Sequence, residues 1–465
     1  MTTPTTAAVL AEADRAFDQS VARLIDLLRI PSVSSKPDHE GEVRRAAAWL
    51  TQELEALGFQ AGVRETGWLP AVVAHYPGPA DAPHILYYGH YDVQPPEPLE
   101  LWNSPPFDPV IVEAQHGPRL VARGAVDDKG QVMTFLEAFR LWKSVHGALP
   151  IRITVLLEGE EESGSPSLKA FLRDNRAELA ADVCVITDTN AWTIDTPAIT
   201  TRLRGLLYVE ATLTGPSHDL HSGMFGGAVL NPINALTRLL GQIHDDQGRV
   251  QFPGFYDGVA EASDEEKAIW SGLGYDEAAF LAGVGLKTAT GEAGRTLAER
   301  LWSRPTCDIN GIIGGYTGEG AKTVIASKAT AKFSCRLVPG QDPEAVLAGI
   351  KAFFADRLPP DAQIEIKTFG KSPGFCVPTD SPYLRATLDA LGDVFDNRPA
   401  MVGSGGSIPV GGYVLEELGI DSIFVGFGLE DDRIHSPNEK FELRCYKNGI
   451  RAHIAMLEHF AAVKP

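Results

Sequence analysis

The sequence predicts an α/β protein with a mostly parallel central sheet and flanking helices, interrupted by an inserted two-layer α+β domain. Three observations carry this. Apolar runs of strand type alternate with helical periodicity up to Asp188, which is the signature of βαβ units. The texture changes near Arg202 to the order β-α-β-β-α-β. From about Ser381 the chain returns to helix, strand and helix. The expected division is residues 1–203 and 384–465 for the main domain and 204–383 for the insertion.

The elements follow in order. Apolar positions recur at helical spacing from about Ala7 to Arg29 and from Glu42 to Leu57, where Gly58 stops the helix. HILYYGHYDV (His84–Val93) is an apolar strand that delivers His90 and Asp92 at its end. Lys129–Val145 is helical, and the strand at Ile151 runs into Glu158, Glu160, Glu161 and Glu162. ADVCVITD ends in Asp188. In the insertion, Leu207–Leu213 reads as a strand, Asn231–Ile243 as an amphipathic helix and Glu261–Leu281 as a polar helical stretch. Lys322–Ser327 and Ala331–Val338 read as strands on either side of a turn at Lys328. A helix is expected after Asp342-Pro343, then a strand over Gln363–Phe369. The run DSIFVGFGLEDDRIH leads to His435, and Tyr446–Val463 is a final helix.

Bulk properties narrow the function. The 465 residues carry 41 basic and 61 acidic side chains, a net charge of −20. Nucleic acid is a poor partner for such a chain, because phosphate binding needs a basic face, and so is an anionic membrane. The start, MTTPTTAAVLAEADRAF, lacks a basic stretch followed by an apolar core, so no signal peptide is expected, and no run is long and apolar enough to span a bilayer. Five scattered cysteines without a CxxC pair suit a reducing cytoplasm.

In open α/β sheets, ligands bind at the carboxyl ends of strands. Runs that end in His90, Glu160–Glu162, Asp188 and His435 therefore suggest one polar site. Carboxylates crowded together repel unless protons or a cation neutralise them, and a metal is the economical cation. Each motif alone has an ordinary reading. His90-Tyr91-Asp92 resembles many structural triplets, and Asp127-Asp128 ahead of a helix could be a cap. The three adjacent glutamates could be a solvated turn, and His221 and His435 are single loop histidines. Arg336 within a strand needs a carboxylate partner, from the protein or from a substrate. GSGGS (Gly403–Ser407) lacks the lysine of a phosphate loop.

Taken together, GHYDV, RGAVDDKG, EGEEESGS, ITDT, DLHSG, AKTVI, RLVPG, GGSIP and HSPNE resemble, in this order, the M20 family of co-catalytic metallopeptidases. The nearest likeness is to its cytosolic non-specific dipeptidases and carnosinase-like enzymes, over nearly the whole chain. The resemblance implies two divalent ions bridged by Asp127, one also held by His90 and Asp188, the other by Glu162 and His435. It makes Asp92 the residue that orients His90, and Glu161 the general base that deprotonates a metal-bridging water. His221 would reach across a homodimer built on the inserted lid and polarise the scissile carbonyl. Thr323, Arg336 and Ser407 would contact the substrate, Arg336 through its free carboxylate. One departure is Ser404, where this branch usually has an acid, which bears on substrate preference.

The expected activity is therefore that of a cytoplasmic binuclear dipeptidase. A mixed N/O ligand set favours Zn²⁺ by affinity order, with Mn²⁺ and Co²⁺ as alternatives. The rivals are an N-acyl amino acid deacylase or carboxypeptidase of the same family, and a non-catalytic metal-binding protein, for which Glu161 would have no purpose.

Overall fold

In a computed structural model, residues 4–406 and 408–464 are described. They divide into two compact units: Met1–Thr201, Val377–Val402 and Tyr413–Pro465 form one, and Arg202–Cys376 with Gly403–Gly412 the other.

In the first unit four strands run parallel: Arg152–Glu158, His84–His90, Val183–Ile186 and Ser422–Gly426, in that spatial order. Ala71–Tyr76 lies antiparallel beside the first of them and Ala198–Leu203 antiparallel beside the last. The parallel strands are buried almost throughout, as expected where helices cover both faces. Helix Lys129–His146 packs against His84–His90 and against the last helix, Leu443–Ala461. Gly89 permits the first approach: a Cβ there would meet Val132 Cγ2 at 2.5 Å and Asp128 Oδ2 at 2.8 Å. The N-terminal helical stretch is broken at Ala16 into Pro4–Arg15 and Phe17–Leu28. A small antiparallel sheet, Val110–Ala114, Gly117–Val121 and Lys440–Glu442, has no counterpart in the sequence reading.

The second unit is an antiparallel sheet in the order Thr306–Gly314, Lys328–Leu337, Gly205–Thr214, Gln363–Ser372. Alternate residues of Gly205–Thr214 (Leu207, Val209, Ala211, Leu213) point into a core with Leu236, Leu239, Ile350, Phe353 and Phe354. The helices that cover this face, Pro232–Leu240 and Pro343–Arg357, start where Asn231 and Asp342 accept backbone N–H groups ahead of a proline. The order β-α-β-β-α-β is present, but its middle strands differ from those expected. Lys322–Ser327 contributes only Val324–Ile325, and the strand Lys328–Leu337 runs through the expected turn. Its antiparallel neighbour is Thr306–Gly314, a strand the sequence reading missed. The polar stretch from Glu261 forms two short helices, Asp264–Gly272 and Glu277–Gly283. Gly403–Gly412, expected with the main domain, belongs instead to the second unit. Arg204 Nε donates to the Gly405 carbonyl (3.2 Å), and Trp302 packs so close to Gly403 that a Cβ there would clash.

Candidate active site

Parallel strands end at one edge of the sheet, and the polar residues that follow them converge there. His90 closes its strand with its side chain 1% exposed. Nδ1 lies 3.3 Å from Asp92 Oδ1, and the His90 backbone N–H donates to Asp128 Oδ2 (3.1 Å). Asp92 also accepts the backbone N–H groups of Glu161 (3.2 Å) and Glu162 (3.0 Å), so it fixes the turn that presents both glutamates.

Asp127 stands between two imidazoles. Its Oδ1 is 3.2 Å from His90 Nε2, and its Oδ2 is 3.0 Å from His435 Nε2. Asp188 Oδ2 lies 4.0 Å from His90 Nε2, and Glu162 Oε2 lies 3.2 Å from His435 Nε2. Two donor sets result, His90–Asp127–Asp188 and Asp127–Glu162–His435, each with ligand atoms within 4.8 Å of one another. Divalent-ion chemistry fits these residues on a direct observation: His90 Nε2 is buried and accepts or donates no hydrogen bond among the described residues. A buried polar atom of this kind is costly unless something coordinates it.

The three adjacent glutamates have separate fates. Glu160 is structural, since it accepts the backbone N–H groups of Leu69 (3.2 Å) and Ser167 (2.6 Å). Glu162 joins a donor set. Glu161 belongs to neither set, but its Oε2 reaches within 3.9 Å of His90 Nε2. In the metal-free chain, burial pushes the Glu161 carboxyl up to about 7; His90 opposes this, while the charges of Glu162, Asp92 and Asp127 add to it. Burial and neighbouring carboxylates also raise Asp188 and Glu162. Asp127 goes the other way. Burial works against its charge, but the His435 and His90 imidazoles beside it outweigh that. The site thus holds more negative charge than its two imidazoles neutralise.

Some contributors were not anticipated. Gln94 Nε2 donates to Glu162 Oε2 (2.8 Å) and holds that carboxylate in place. Tyr88 Oη donates to Glu158 Oε2 (2.5 Å) behind the site. Asp128 does not join either donor set; it supports the His90 backbone. Gln94 sits two residues beyond the HxD triplet, but nothing in its type marks a role.

His221, Thr323 and Arg336 lie in the second unit. Leu220–His221 pairs antiparallel with Val324–Ile325, which brings His221 next to Thr323, and the Ser222 N–H donates to the Thr323 carbonyl (3.0 Å). His221 is exposed, and its Nδ1 accepts the Gly223 N–H (3.0 Å). Arg336 is partly buried in the strand Lys328–Leu337. Ser407 lies outside the described residues.

A mostly parallel α/β sheet with a carboxylate-rich, imidazole-containing cluster at its strand ends defines a metal-dependent hydrolase. The match to a family model is specific: residues 86–459 fit the peptidase family M20/M25/M40, and the chain belongs to it. Peptidases of this kind bind divalent metal ions. The Cys-Gly metallodipeptidase of Schizosaccharomyces pombe is 30% identical over 97% of this chain and 98% of its own. The human Beta-Ala-His dipeptidase is 30% identical over 92% of this chain and 87% of its own. Among solved structures, an M20 family metallo-carboxypeptidase from Sulfolobus solfataricus superposes with a TM-score of 0.85 at 30% identity, covering 96% of this chain and 99% of that one.

Proposed function

We propose that the protein is a two-metal dipeptidase that hydrolyses dipeptides with a free C-terminal carboxylate. The observation that carries this is Asp127, whose two oxygens face two different imidazoles and so serve two donor sets at once. Two-metal hydrolase sites hold their ions roughly 3.5–4 Å apart. His90 and Asp188 would complete one ligand set, Glu162 and His435 the other. When bound, the ions supply Lewis acidity that activates water and polarises the substrate carbonyl. Zn²⁺ is favoured for such N/O sets, with Mn²⁺ and Co²⁺ as alternatives.

The chain's own residues do the rest. Glu161 takes the proton of the attacking water and passes it to the leaving amine. Glu161 belongs to neither donor set, and its Oε2 lies 3.9 Å from His90 Nε2, so its carboxylate is left beside the site to handle that proton. Asp92 holds Glu161 and Glu162 through their backbone N–H groups. His221 would polarise the carbonyl oxygen, while Thr323, Arg336 and Ser407 would contact the substrate, Arg336 pairing with its carboxylate.

The insertion, residues 204–383 in the sequence reading, would serve as lid and dimer contact. Its strand Thr306–Gly314 lies at the edge of its sheet and exposes Ile309, Ile312 and Ile313, and the short helix Ser222–Phe225 after His221 exposes Met224 and Phe225. An apolar sheet edge favours pairing with another chain, here a second copy. In that homodimer His221 would act on the partner's site. Mixing inactive Glu161→Gln with inactive His221→Ala chains should restore activity on subunit exchange; a cis role predicts none.

The Sulfolobus relative keeps a carboxypeptidase reading in view. Metal-loaded enzyme should cleave Cys-Gly and β-Ala-His type dipeptides with kcat/KM well above that for N-acyl amino acids or longer peptides. The reverse order would replace dipeptidase by deacylase or carboxypeptidase.

A further inference from the structure

Two sequence motifs contain charged residues that the proposed chemistry leaves idle, and the structure joins them to each other. Arg123 opens RGAVDDKG and Glu439 closes HSPNE. Both are buried, Arg123 at 1% and Glu439 at 0% exposure. Glu439 Oε1 accepts the backbone N–H groups of Val126 (3.0 Å) and Asp127 (3.1 Å). Its Oε2 accepts the Gly124 N–H (2.9 Å) and Arg123 Nη1 (2.7 Å). Arg123 in turn donates to the Pro95 carbonyl (3.2 Å) and lies 5.6 Å from the Trp102 ring centre.

We propose that Glu439, backed by Arg123, is a positioning residue that sets divalent-ion affinity by holding the Asp127 loop and the His435 loop in register. One carboxylate binds the backbone of the residue that faces both imidazoles. It is also four positions from His435, at the end of a segment where Arg433, His435 and Asn438 all have positive φ (58°, 62° and 64°). Backbone held in this region persists only when its surroundings enforce it. Beyond Glu439 the chain is tied down: the Ala122 N–H donates to the Glu439 carbonyl (3.1 Å), and Lys440–Glu442 pairs with Gly117–Val121. Glu439 is thus the fixed point from which the His435 loop departs, and the same side chain fixes Asp127. The inference rests on the metal reading above.

The test is Glu439→Gln, read by Zn²⁺ affinity in competition with a chromophoric chelator, by the Co²⁺ absorption spectrum and by thermal unfolding of the metal-free chain. The amide keeps the shape but presents an NH₂ to N–H donors and takes from Arg123 its only carboxylate partner among the described residues. Residues that support metal ligands typically change affinity about 10–100-fold when altered. The expected result is a loss of that size with a changed Co²⁺ spectrum. Arg123→Gln, which spares the carboxylate and its three backbone bonds, should give a smaller loss, and it carries the test if Glu439→Gln does not fold. Wild-type affinity and spectrum in the folded variants, with only a lower Tm, would reduce the pair to a structural role and overturn the proposal. A wild-type chain that binds no Zn²⁺ would instead overturn the metal reading itself.

Discussion

His90 and His435 face the same carboxylate from opposite sides, yet their settings differ. The His90 side chain is 1% exposed, stands at the end of a parallel strand and has Asp92 behind its second nitrogen. The His435 side chain is 53% exposed, sits on a loop with φ of 62°, and has no partner on Nδ1 among the described residues. A carboxylate behind a metal-binding imidazole fixes its tautomer and raises its basicity. A loop imidazole must lose conformational freedom to coordinate. The comparison therefore predicts a tight ion at the buried set and a weaker one at the open set. His453 completes the series: it is fully buried among Tyr87, Phe135 and Phe427, and neither ring nitrogen has a hydrogen-bond partner among the described residues. Burial alone drives His453 down to about 3. Carboxylates outweigh that same burial at His90 and raise it.

The largest effect is expected from the residue that belongs to neither set. Glu161→Gln should retain both ions and the fold while kcat falls about 10²–10⁴-fold, the usual cost of losing a general base. Metal analysis alongside single-turnover kinetics checks this, and turnover within a few-fold of wild type would move the base elsewhere. Glu160 would be a poor substitute, because backbone N–H groups already occupy it.

The asymmetry itself is tested by His90→Ala against His435→Ala. His435→Ala removes a ligand outright and should weaken one ion by more than the about 10–100-fold typical of altering a supporting residue, while lowering the metal-free Tm less than His90→Ala does, because the His435 side chain is 53% exposed. His90→Ala should weaken the other ion and also lower metal-free stability by about 1–3 kcal/mol, because buried Asp92 and Asp127 lose a partner. Ion titration and thermal melts on both variants give the comparison, and equal effects would erase it.

At neutral pH the smallest effect comes from His453, whose contribution changes only on acidification. His453 stays neutral when folded but takes a proton below about 6.5 when unfolded. Stability is therefore complete above that pH and declines as pH falls from 6.5 toward about 3, by up to about 1.4 kcal/mol per unit. His453→Leu keeps the cage apolar and should flatten that part of the acid limb in denaturant melts. An unchanged slope would mean that His453 is protonated in the folded state.

How far each ligand was legible follows from the same contrast. His90, Glu162 and Asp188 come just after apolar strands, so period and polarity place them at one sheet edge. The strand Ser422–Gly426 ends well before His435, so the run leading to that residue placed it only loosely, and the likeness of HSPNE to a known motif gave it a ligand role. Thr306–Gly314 was missed because an edge strand with Ile309, Ile312 and Ile313 exposed shows no clean alternation, and its Asp, Asn and Gly read as loop. Lys328 looked like a turn but opens the strand Lys328–Leu337, paired with Thr214. Gln94 and Glu439 matter only through partners far along the chain, Glu162 in one case and residues 123–127 in the other.

By itself the sequence determined the α/β class, the strand ends that carry acids and imidazoles, and the family. These depend on local periodicity and on short motifs, which the chain states in consecutive residues. The tertiary structure decided that backbone N–H groups hold Glu160 while Glu162 stands in a donor set, that the two oxygens of Asp127 face different imidazoles, and that Glu439 binds the Asp127 backbone. Those outcomes depend on the direction of single side chains and on pairings across hundreds of residues, and only packing sets them.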